Sequence, residues 1–270
     1  MSSAIPNPGS APNAPFLYVT ELTAGVKVVT RDGSVSTFAT GLLNYDADGG
    51  FPGSGERGIT GITVDPANGD VFVGLVYRPD NGRDEFWCKV IRITSNDGGR
   101  TAATVTTLVD MQNAPVGPAH QIGALTISPA GYLYIQMGDG FEAETALNLD
   151  DWRGKVLRVY RSTGLPVTNN PFYNAGDGIT ARDYIYAYGV RNPFGAAWRF
   201  AEPAMYMVEN GPGVDRFTKL VYGRNFGYDG SDESMSTHAI YNWRPSVAPV
   251  SLTCVQSARF ARSGFAIGCC

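Results

Sequence analysis

A hairpin pattern that recurs three times constrains the fold of this chain more than any other feature of its sequence. Each copy begins at a glycine and runs through an alternating strand, a turn that contains a proline, and a second alternating strand. Alternation of apolar and polar residues is typical of half-buried β-strands, and proline marks the turns that join them. The copies are GITGITVDPANGDVFVGL (58–75), IGALTISPAGYLYIQMG (122–138) and FGAAWRFAEPAMYMVENG (194–211). A supersecondary unit that repeats along a chain predicts a repeat architecture.

Further strand patterns fill the intervals between the hairpins and bring each unit to about four strands every 60 to 70 residues, as in propeller blades. A β-sandwich is the alternative, but it would show shorter, more regular turn spacing and no repeated hairpin. The sequence therefore predicts an all-β fold of the β-propeller type. The additional strand patterns are FLYVTEL, GVKVVTR and VSTFAT before the first hairpin, then WCKVIRITS (87–95), ATVTTLVDM (103–111), GKVLRVYRS (154–162) and FTKLVYGRNFGY (217–228).

The number of units indicates an incomplete propeller. One strand group precedes residue 50, three hairpin units follow, and APVSLTCVQ (248–256) opens another. This makes about four to five blades. We therefore expect a propeller domain over residues 16–270 that is incomplete at its C-terminus. The stretch MSSAIPNPGSAPNAP (1–15) predicts a disordered leader and has neither the basic nor the apolar region of a signal peptide.

Charge and composition exclude several classes of partner. The net charge is −4 and no run of lysine or arginine forms a basic stripe, so a nucleic-acid partner is not expected. No stretch approaches about 18 consecutive apolar residues, so no membrane span is expected. The four cysteines make neither a metal-binding spacing nor a dense disulfide framework.

One of the two histidines stands at the entrance of the second hairpin. His120 precedes its first strand and Asp139 follows its second, and an antiparallel hairpin returns its ends to the same side. A histidine beside a carboxylate is an effective general base, because the acid fixes the tautomer and stabilises the imidazolium. A histidine bonded to a turn is the structural alternative, and spacing alone leaves both open.

The segment IYAYGVRNPFGAAW (185–198) presents a guanidinium and an amide on a rigid turn just before a strand. Arg191 and Asn192 suit a carboxylate or a polarised carbonyl as a ligand. A structural arginine that satisfies loop carbonyls is an equal alternative.

The segment ENGPG (209–213) offers consecutive carbonyls in a turn next to an acid, which could hold a hard cation such as calcium. It lacks the spacing of an EF-hand loop. Alone, it predicts only a turn.

Together these stretches resemble the glucose/sorbosone dehydrogenase family, the soluble quinoprotein sugar dehydrogenases with a six-bladed propeller. The matching motifs occur in the family's order and cover roughly residues 16–265, so the resemblance is far more specific than any one of them. They are ERGITGITVDP (56–66), HQIGALTISPAGYLYIQMGDG (120–140), GKVLRV with the later PVTNNPF, IYAYGVRNPFG (185–195), ENGP (209–212) and GRNFGY (223–228).

The resemblance implies roles in catalysis for three residues. His120 matches the family's general base, which removes the proton of the sugar's anomeric hydroxyl while hydride passes to pyrroloquinoline quinone (PQQ). Asp139 matches the acid beside that base. Arg191 matches an arginine that polarises the reacting carbonyl of the quinone.

The resemblance also implies a cofactor site and a substrate side. Arg191 and Asn192 match residues that contact PQQ. Gly211 and Pro212 match positions whose backbone carbonyls hold a calcium ion against the cofactor. Glu56 lies at a position that lines the substrate side.

Three departures from the family's pattern bear on these roles. Ala119 stands where an acid often precedes the histidine, and GVDRF offers Asp215 and Arg216 where the family usually shows a pair of acids. The lysine and arginines that grip the carboxylates of the quinone are expected beyond residue 270.

We therefore expect an oxidoreductase that oxidises the hydroxyl group of aldose-type sugars with PQQ and calcium. Its partners would be a small sugar and an electron acceptor, and the resemblance implies a periplasmic or secreted location. The alternatives are a non-catalytic propeller that binds a partner, or an inactive gene fragment that lacks the cofactor clamp.

Overall fold

The computed structural model describes residues 3–4, 11–47 and 55–256, and most of its regular structure is β-strand. Among these described residues, helical structure is confined to α1 (Ala181–Tyr184) and to two 3₁₀ turns, Ala143–Thr145 and Ser234–Ser236. The strands are β1 (Ser3–Ala4), β2 (Pro15–Glu21), β3 (Gly25–Thr30), β4 (Val35–Thr40), β5 (Ile59–Val64), β6 (Val71–Tyr77), β7 (Trp87–Thr94), β8 (Thr104–Asp110), β9 (Ile122–Ile127), β10 (Tyr132–Met137), β11 (Lys155–Tyr160), β12 (Ile185–Tyr188), β13 (Pro193–Arg199), β14 (Ala204–Glu209), β15 (Asp215–Lys219) and β16 (Tyr241–Trp243).

The strands form four sheets of four strands each, and consecutive strands are neighbours in every sheet. The sheets are β1 to β4, β5 to β8, β9 to β12 and β13 to β16. Each of the three predicted hairpins supplies the first two strands of a sheet, which confirms the predicted repeat of about four strands. Tight loops between neighbouring strands place the ends of each hairpin on the same side of its sheet.

The structure differs from the predicted strands in two places. The pattern 217–228 remains a strand only to Lys219, because Gly223 and Gly227 adopt positive φ angles of 69° and 78° and turn the chain. The segment 248–256, predicted to open a further blade, contains no strand in its described residues. The amides of Val247 and Ala248 donate to the carboxylate of Asp215 instead of to a neighbouring strand.

Three elements were not predicted as strands, and one of them is β16 (Tyr241–Trp243) at the edge of the fourth sheet. Ile185–Tyr188 is β12, the outer strand of the third sheet, although the sequence singled it out only as part of a motif. Ser3–Ala4 pairs with Val19 and Tyr18 of β2 inside the stretch expected to be a disordered leader. Residues 1–2 and 5–10 of that stretch lie outside the described residues, so the extent of the leader stays a prediction.

The chain divides into two compact units, residues 1–125 and 126–270, and the division falls within β9. The first unit has a core of aliphatic side chains from β2 to β7, with Tyr18 packed edge-on against Phe38. The second unit has a larger aromatic share, and its core includes Tyr134, Met205 and Phe226. Since burial of apolar area is the main favourable term in folding, each unit has its own source of stability.

The loop between β10 and β11 carries Asp139, and hydrogen bonds from a buried lysine stabilise it. The ammonium of Lys155, fully buried, donates to the carbonyls of Thr145 and Ala146 at 2.8 and 3.2 Å and also to that of Arg153. The amide of Gly154 donates to the carbonyl of Gly138 at 2.8 Å, which closes the loop at its base. One side chain therefore binds three backbone carbonyls of this loop and holds them together.

We predict that Lys155→Met lowers the free energy of unfolding, and more so at alkaline pH. Burial lowers the pKa of Lys155 to about 7, whereas a lysine of an unfolded chain titrates near about 10.4. Between those pH values the unfolded chain binds a proton that the folded chain does not, so the contribution of Lys155 to stability increases as the pH rises. We expect a loss of about 1–3 kcal/mol near pH 9 and a smaller loss near pH 7.

Urea denaturation of both proteins at the two pH values measures this difference. A loss that is equal at both pH values, or greater at the lower one, would contradict the prediction.

Candidate functional site

The predicted arginine–asparagine turn between β12 and β13 is held by an acid at the end of a neighbouring strand. Glu209 is the last residue of β14, and one of its carboxylate oxygens accepts a hydrogen bond from the backbone N–H of Arg191. The amide of Asn210 donates to the carbonyl of Asn192 at 3.0 Å. The turns at 191–192 and 209–210 are therefore joined by their backbones.

Glu209 is itself held by Arg216 of β15. The second carboxylate oxygen of Glu209 accepts from Nε and Nη2 of Arg216 at 3.0 and 2.7 Å, and both side chains have no solvent exposure. Nη1 of Arg216 donates onward to the carbonyls of Phe226 and Thr237 at 2.7 and 2.9 Å. All three nitrogens of the Arg216 guanidinium donate hydrogen bonds, and this arrangement fixes the orientation of the Glu209 carboxylate.

The side chain of Arg191 is held by two hydrogen bonds to the protein and keeps other N–H groups for a ligand. Its Nη1 donates to the carbonyl of Asn210 at 2.9 Å, and its Nε donates to the hydroxyl of Tyr228 at 3.2 Å. Burial raises the pKa of the Tyr228 phenol, which keeps that hydroxyl neutral. No described residue accepts from Nη2 of Arg191, and the residue is half-buried. The guanidinium is thus oriented by the protein and retains donors for a ligand.

Asp139 lies beside this turn, as the positions of the strand ends predict. It is buried, and its backbone N–H donates to the carbonyl of Arg191 at 2.7 Å. Its Oδ1 accepts from the amide of Phe141 at 2.9 Å, and Phe141 has a positive φ of 73°. The carboxylate of Asp139 therefore also shapes the loop that follows it.

The predicted calcium turn is anchored by two carboxylates. The amide of Gly211 donates to Asp215 at 3.0 Å and that of Gly213 donates to Asp232 at 2.7 Å. A Cβ at Gly211 would lie 1.9 Å from the carbonyl oxygen of Val214, so this turn admits only glycine there. Among the described residues nothing donates a hydrogen bond to the carbonyl oxygens of Gly211 or Pro212. The N–H groups of Gly211 and Gly213 are therefore used within the protein, and the carbonyl oxygens of Gly211 and Pro212 remain as acceptors for a ligand.

Two amide oxygens in the same region also lack a donor. Oδ1 of Asn192 and Oδ1 of Asn210 are buried and have no hydrogen-bond partner among the described residues. An unpaired buried acceptor costs about 1–3 kcal/mol, so such atoms indicate a ligand or bound ion. No three His, Cys, Asp or Glu side chains of the described ranges converge as metal ligands. Uncharged oxygen donors nevertheless fit a calcium ion, and the oriented guanidinium fits an anionic or carbonyl-bearing cofactor.

His120 lies in the first unit, where Glu56 holds it from the backbone side. Its N–H donates to Oε2 of Glu56 at 2.8 Å, it is 5% exposed, and its φ of 65° is in the left-handed region. A non-glycine residue in that region is strained and persists only where surrounding contacts determine it. Glu56 therefore contacts His120 directly, whereas its place on the substrate side stays a prediction.

The ERG motif of the first unit clamps the loop before His120. The amide of Glu56 donates to the carbonyl of Pro118 at 2.8 Å, and Nε of Arg57 donates to that of Gly117 at 3.1 Å. The guanidinium of Arg57 lies 4.3 Å from the ring centroid of Phe86, which adds a cation–π contact. His120 and Asp139 belong to different units, and their proximity stays a prediction.

Sequence reasoning missed the residues that position this site. Arg216 was noticed only as a departure from the family's acids, and Lys155 and Tyr228 only as members of motifs. Arg158 of GKVLRV donates to Oδ1 of Asn170 at 2.7 Å and to the carbonyl of Asn169 at 3.0 Å. Arg158 therefore joins GKVLRV to VTNNPF, whereas Lys155 of the same motif supports the loop that carries Asp139. A buried arginine in a strand pattern was the signal that could have found these partners.

Comparison with known proteins gives one matching family. The family described as Glucose / Sorbosone dehydrogenase matches residues 10–267. The aldose sugar dehydrogenase YliI of Escherichia coli is 34% identical over 110 residues, which are 40% of this chain and 29% of that protein. The human Hedgehog-interacting protein is 25% identical over 194 residues, which are 66% of this chain and 27% of that protein. The chain thus spans less than a third of the length of the curated relatives it matches.

Solved structures agree in fold. The soluble aldose sugar dehydrogenase of Escherichia coli in its apo form has a TM-score of 0.76 at 21% identity, over 96% of this chain and 76% of that one. The PQQ-bound aldose sugar dehydrogenase of Streptomyces coelicolor has a TM-score of 0.69 at 20% identity, over 94% and 76%. At these identities the likeness concerns the fold alone. It confirms the predicted β-propeller of the quinoprotein glucose dehydrogenase type.

We predict that Glu209→Gln lowers the free energy of unfolding by about 3–5 kcal/mol, because it leaves the guanidinium of Arg216 buried without a counter-charge. Glu202→Gln is the matched control, since Glu202 precedes the same strand and pairs with Lys219 at 3.0 Å on the exposed surface. Exposed ion pairs contribute little, so the control should unfold close to the parent.

Urea denaturation followed by circular dichroism measures both variants. Equal effects of the two substitutions would show that the buried pair does not hold the site.

Proposed function

Because the chain belongs to the glucose/sorbosone dehydrogenase family, we propose that it is an oxidoreductase that oxidises the hydroxyl group of aldose-type sugars, with PQQ and calcium as cofactors and His120 as general base. The observation that carries the proposal is the set of unpaired oxygens around Asn192 and residues 210–212, next to the oriented guanidinium of Arg191. A site that only had to fold would pair these oxygens with N–H or O–H donors of the protein.

His120 would accept the proton of the sugar hydroxyl. Its backbone is fixed by the carboxylate of Glu56, and its left-handed φ turns the side chain in a direction that an extended residue would not reach. Only one oxygen of Glu56 is used for this bond. The other oxygen is available for a sugar hydroxyl, in keeping with the substrate side that the resemblance implies.

Asp139 would support the base as a carboxylate. A carboxylate near an imidazole fixes its tautomer and stabilises the charged form after proton transfer. Its backbone is tied to Arg191, so the acid and the arginine would keep a constant relation during turnover.

The cofactor would be held by the second unit. PQQ, when bound, supplies the acceptor for the hydride of the sugar. Arg191 and Asn192 would hold its oxygen and nitrogen atoms with a guanidinium edge and a buried amide. The carbonyls of Gly211 and Pro212 would hold calcium, because hard oxygen ligands suit that ion.

The substrate would be a small sugar, with electrons passed on to a separate acceptor, outside the cytoplasm. The family supports a sugar substrate, and a PQQ-bound relative in fold supports the cofactor. No helix among the described residues is long and apolar enough to cross a membrane.

A second candidate is a propeller that binds a partner without catalysis. The match to the Hedgehog-interacting protein, which covers 66% of this chain, favours it. The two candidates differ in one measurable property, since a binding module has no need to bind PQQ.

We predict dye reduction by the purified protein with added PQQ and calcium over a panel of aldoses, and a loss of it in His120→Asn. Asparagine tolerates a left-handed backbone, so this substitution removes the base with little strain. Loss of a general base lowers kcat by about a hundred- to ten-thousandfold.

His238→Asn is the matched control, because the other histidine also has a positive φ, of 59°. It should retain the parent kcat. Equal activity in the two variants would remove His120 from the mechanism. Absence of PQQ binding in a titration of the parent protein would favour the binding module.

A further inference from the structure

The second unit contains a cavity of about 690 Å³ at the opposite ends of the strands from Asp139 and Glu209. It opens between the turn at Pro129, before β10, and the turn at Pro203, before β14. Both strands have six residues, and at about 3.3 Å per residue this separates the cavity from the candidate site by roughly 17–20 Å. Cavities of this size suit a small organic ligand.

We call this cavity the aromatic pocket, because the side chains that dominate its walls are Tyr132, Tyr134, Tyr186 and Trp198. The ring of Tyr134 lies 5.1 Å from that of Tyr186 and 5.2 Å from that of Trp198, both at steep angles. Edge-to-face contacts of this kind fix each ring against its neighbour. The walls are therefore preformed and need little ordering when a ligand binds.

A buried arginine decides the charge that this pocket accepts. The guanidinium of Arg158 lies 5.3 Å from the ring centroid of Tyr132 and 5.0 Å from that of Tyr186. Its bonds to Asn169 and Asn170 hold it in place. A cationic ligand would compete with this guanidinium for the same ring faces and be repelled by it. The pocket thus favours a neutral or anionic ligand.

The rim of the pocket adds polar groups. Lys219 pairs with Glu202 at 3.0 Å, and both side chains are about half-exposed. With Arg158 they give two positive charges and one negative charge around the opening. These groups can donate to and accept from several hydroxyls.

Trp198, one of the residues that line the pocket, has a donor that no described residue satisfies. Nε1 of Trp198 is buried, and none of the described residues accepts its hydrogen bond. A ligand oxygen at this position would relieve the cost of the unpaired donor, which a hydrocarbon ligand would leave in place. The ligand therefore needs flat apolar faces for the rings and oxygen atoms at its edge.

We propose that the aromatic pocket binds a saccharide ring, neutral or acidic, at a site separate from the candidate active site. A pyranose has C–H faces that stack on aromatic rings and a rim of hydroxyls that reach Trp198, Glu202 and Lys219. Such a ring is either a free sugar or one unit of a longer glycan. The site does not depend on the proposed oxidation.

Isothermal titration calorimetry of the full chain, without PQQ, tests the proposal with four probes. Cellobiose and glucuronic acid represent free sugars, and dextran and polygalacturonate represent chains. Trp198→Phe removes the N–H and keeps a ring, while Tyr241→Ala is the control, because Tyr241 packs against Trp243 away from the pocket.

We expect at least one probe to bind with millimolar affinity or better, and Trp198→Phe to weaken it by about tenfold, as for the loss of one hydrogen bond. Tyr241→Ala should bind as the parent does. If dextran or polygalacturonate binds more tightly, per sugar ring, than cellobiose or glucuronic acid, the ligand is a glycan chain. If the affinities per sugar ring are equal, the ligand is a free sugar. Absence of binding for all four probes, or binding that Trp198→Phe leaves unchanged while its melting temperature matches the parent's, overturns the proposal.

Discussion

Glu209 and Arg216 form an ion pair from which solvent is fully excluded, and three segments of the second unit take their positions from it. Burial of two charges costs several kcal/mol, which their attraction offsets only with good geometry and further hydrogen bonds. Here the carboxylate also accepts the N–H of Arg191, and the guanidinium also donates to two loop carbonyls. An apolar pair of equal volume could give the same stability, but it could not hold the Arg191 turn. The pair is best explained by position rather than by stability.

In the first unit a glutamate also positions a predicted site residue through its backbone. Glu56 holds the backbone N–H of His120 as Glu209 holds that of Arg191. In both cases a carboxylate accepts the backbone N–H, so this bond does not use the side chain of the residue that it positions. This contrasts with Asp215, whose carboxylate accepts three backbone amides and holds both the turn at Gly211 and residues 247–248.

Much of the fold could be predicted because its signals are local. The period of two in the three hairpins and the proline turns identified where each sheet begins, and the repeat identified the architecture. The outer strands were harder. FTKLVYGRNFGY has an apolar start, but its glycines at positive φ turn the chain after β15. APVSLTCVQ has strand-like composition, but the amide of its first residue, Ala248, donates to Asp215. Those outcomes depend on contacts with residues far away in the sequence.

The sequence predicted candidate side chains but not the residues that support them. Strand ends and motifs indicated His120, Asp139, Arg191 and Asn192, whose roles stay predictions. Arg216 could not be paired with Glu209 from spacing, since a strand reversal brings them together. The positive φ of His120 could not be predicted from the sequence either. It depends on hydrogen bonds with residues 56–57, which are distant in the sequence and stabilise this strained backbone conformation.

The departure at Asp215 and Arg216 has a consequence for calcium. A pair of acids at this place would add negative charge beside the carbonyls of Gly211 and Pro212, whereas here Asp215 is occupied by three amides and Arg216 neutralises Glu209. Calcium affinity depends strongly on the number of charged ligands. A site made of carbonyl and amide oxygens alone therefore binds the ion more weakly than one with free carboxylates. If calcium binds there as proposed, the additional negative charge would come from the proposed cofactor, and the two would bind together.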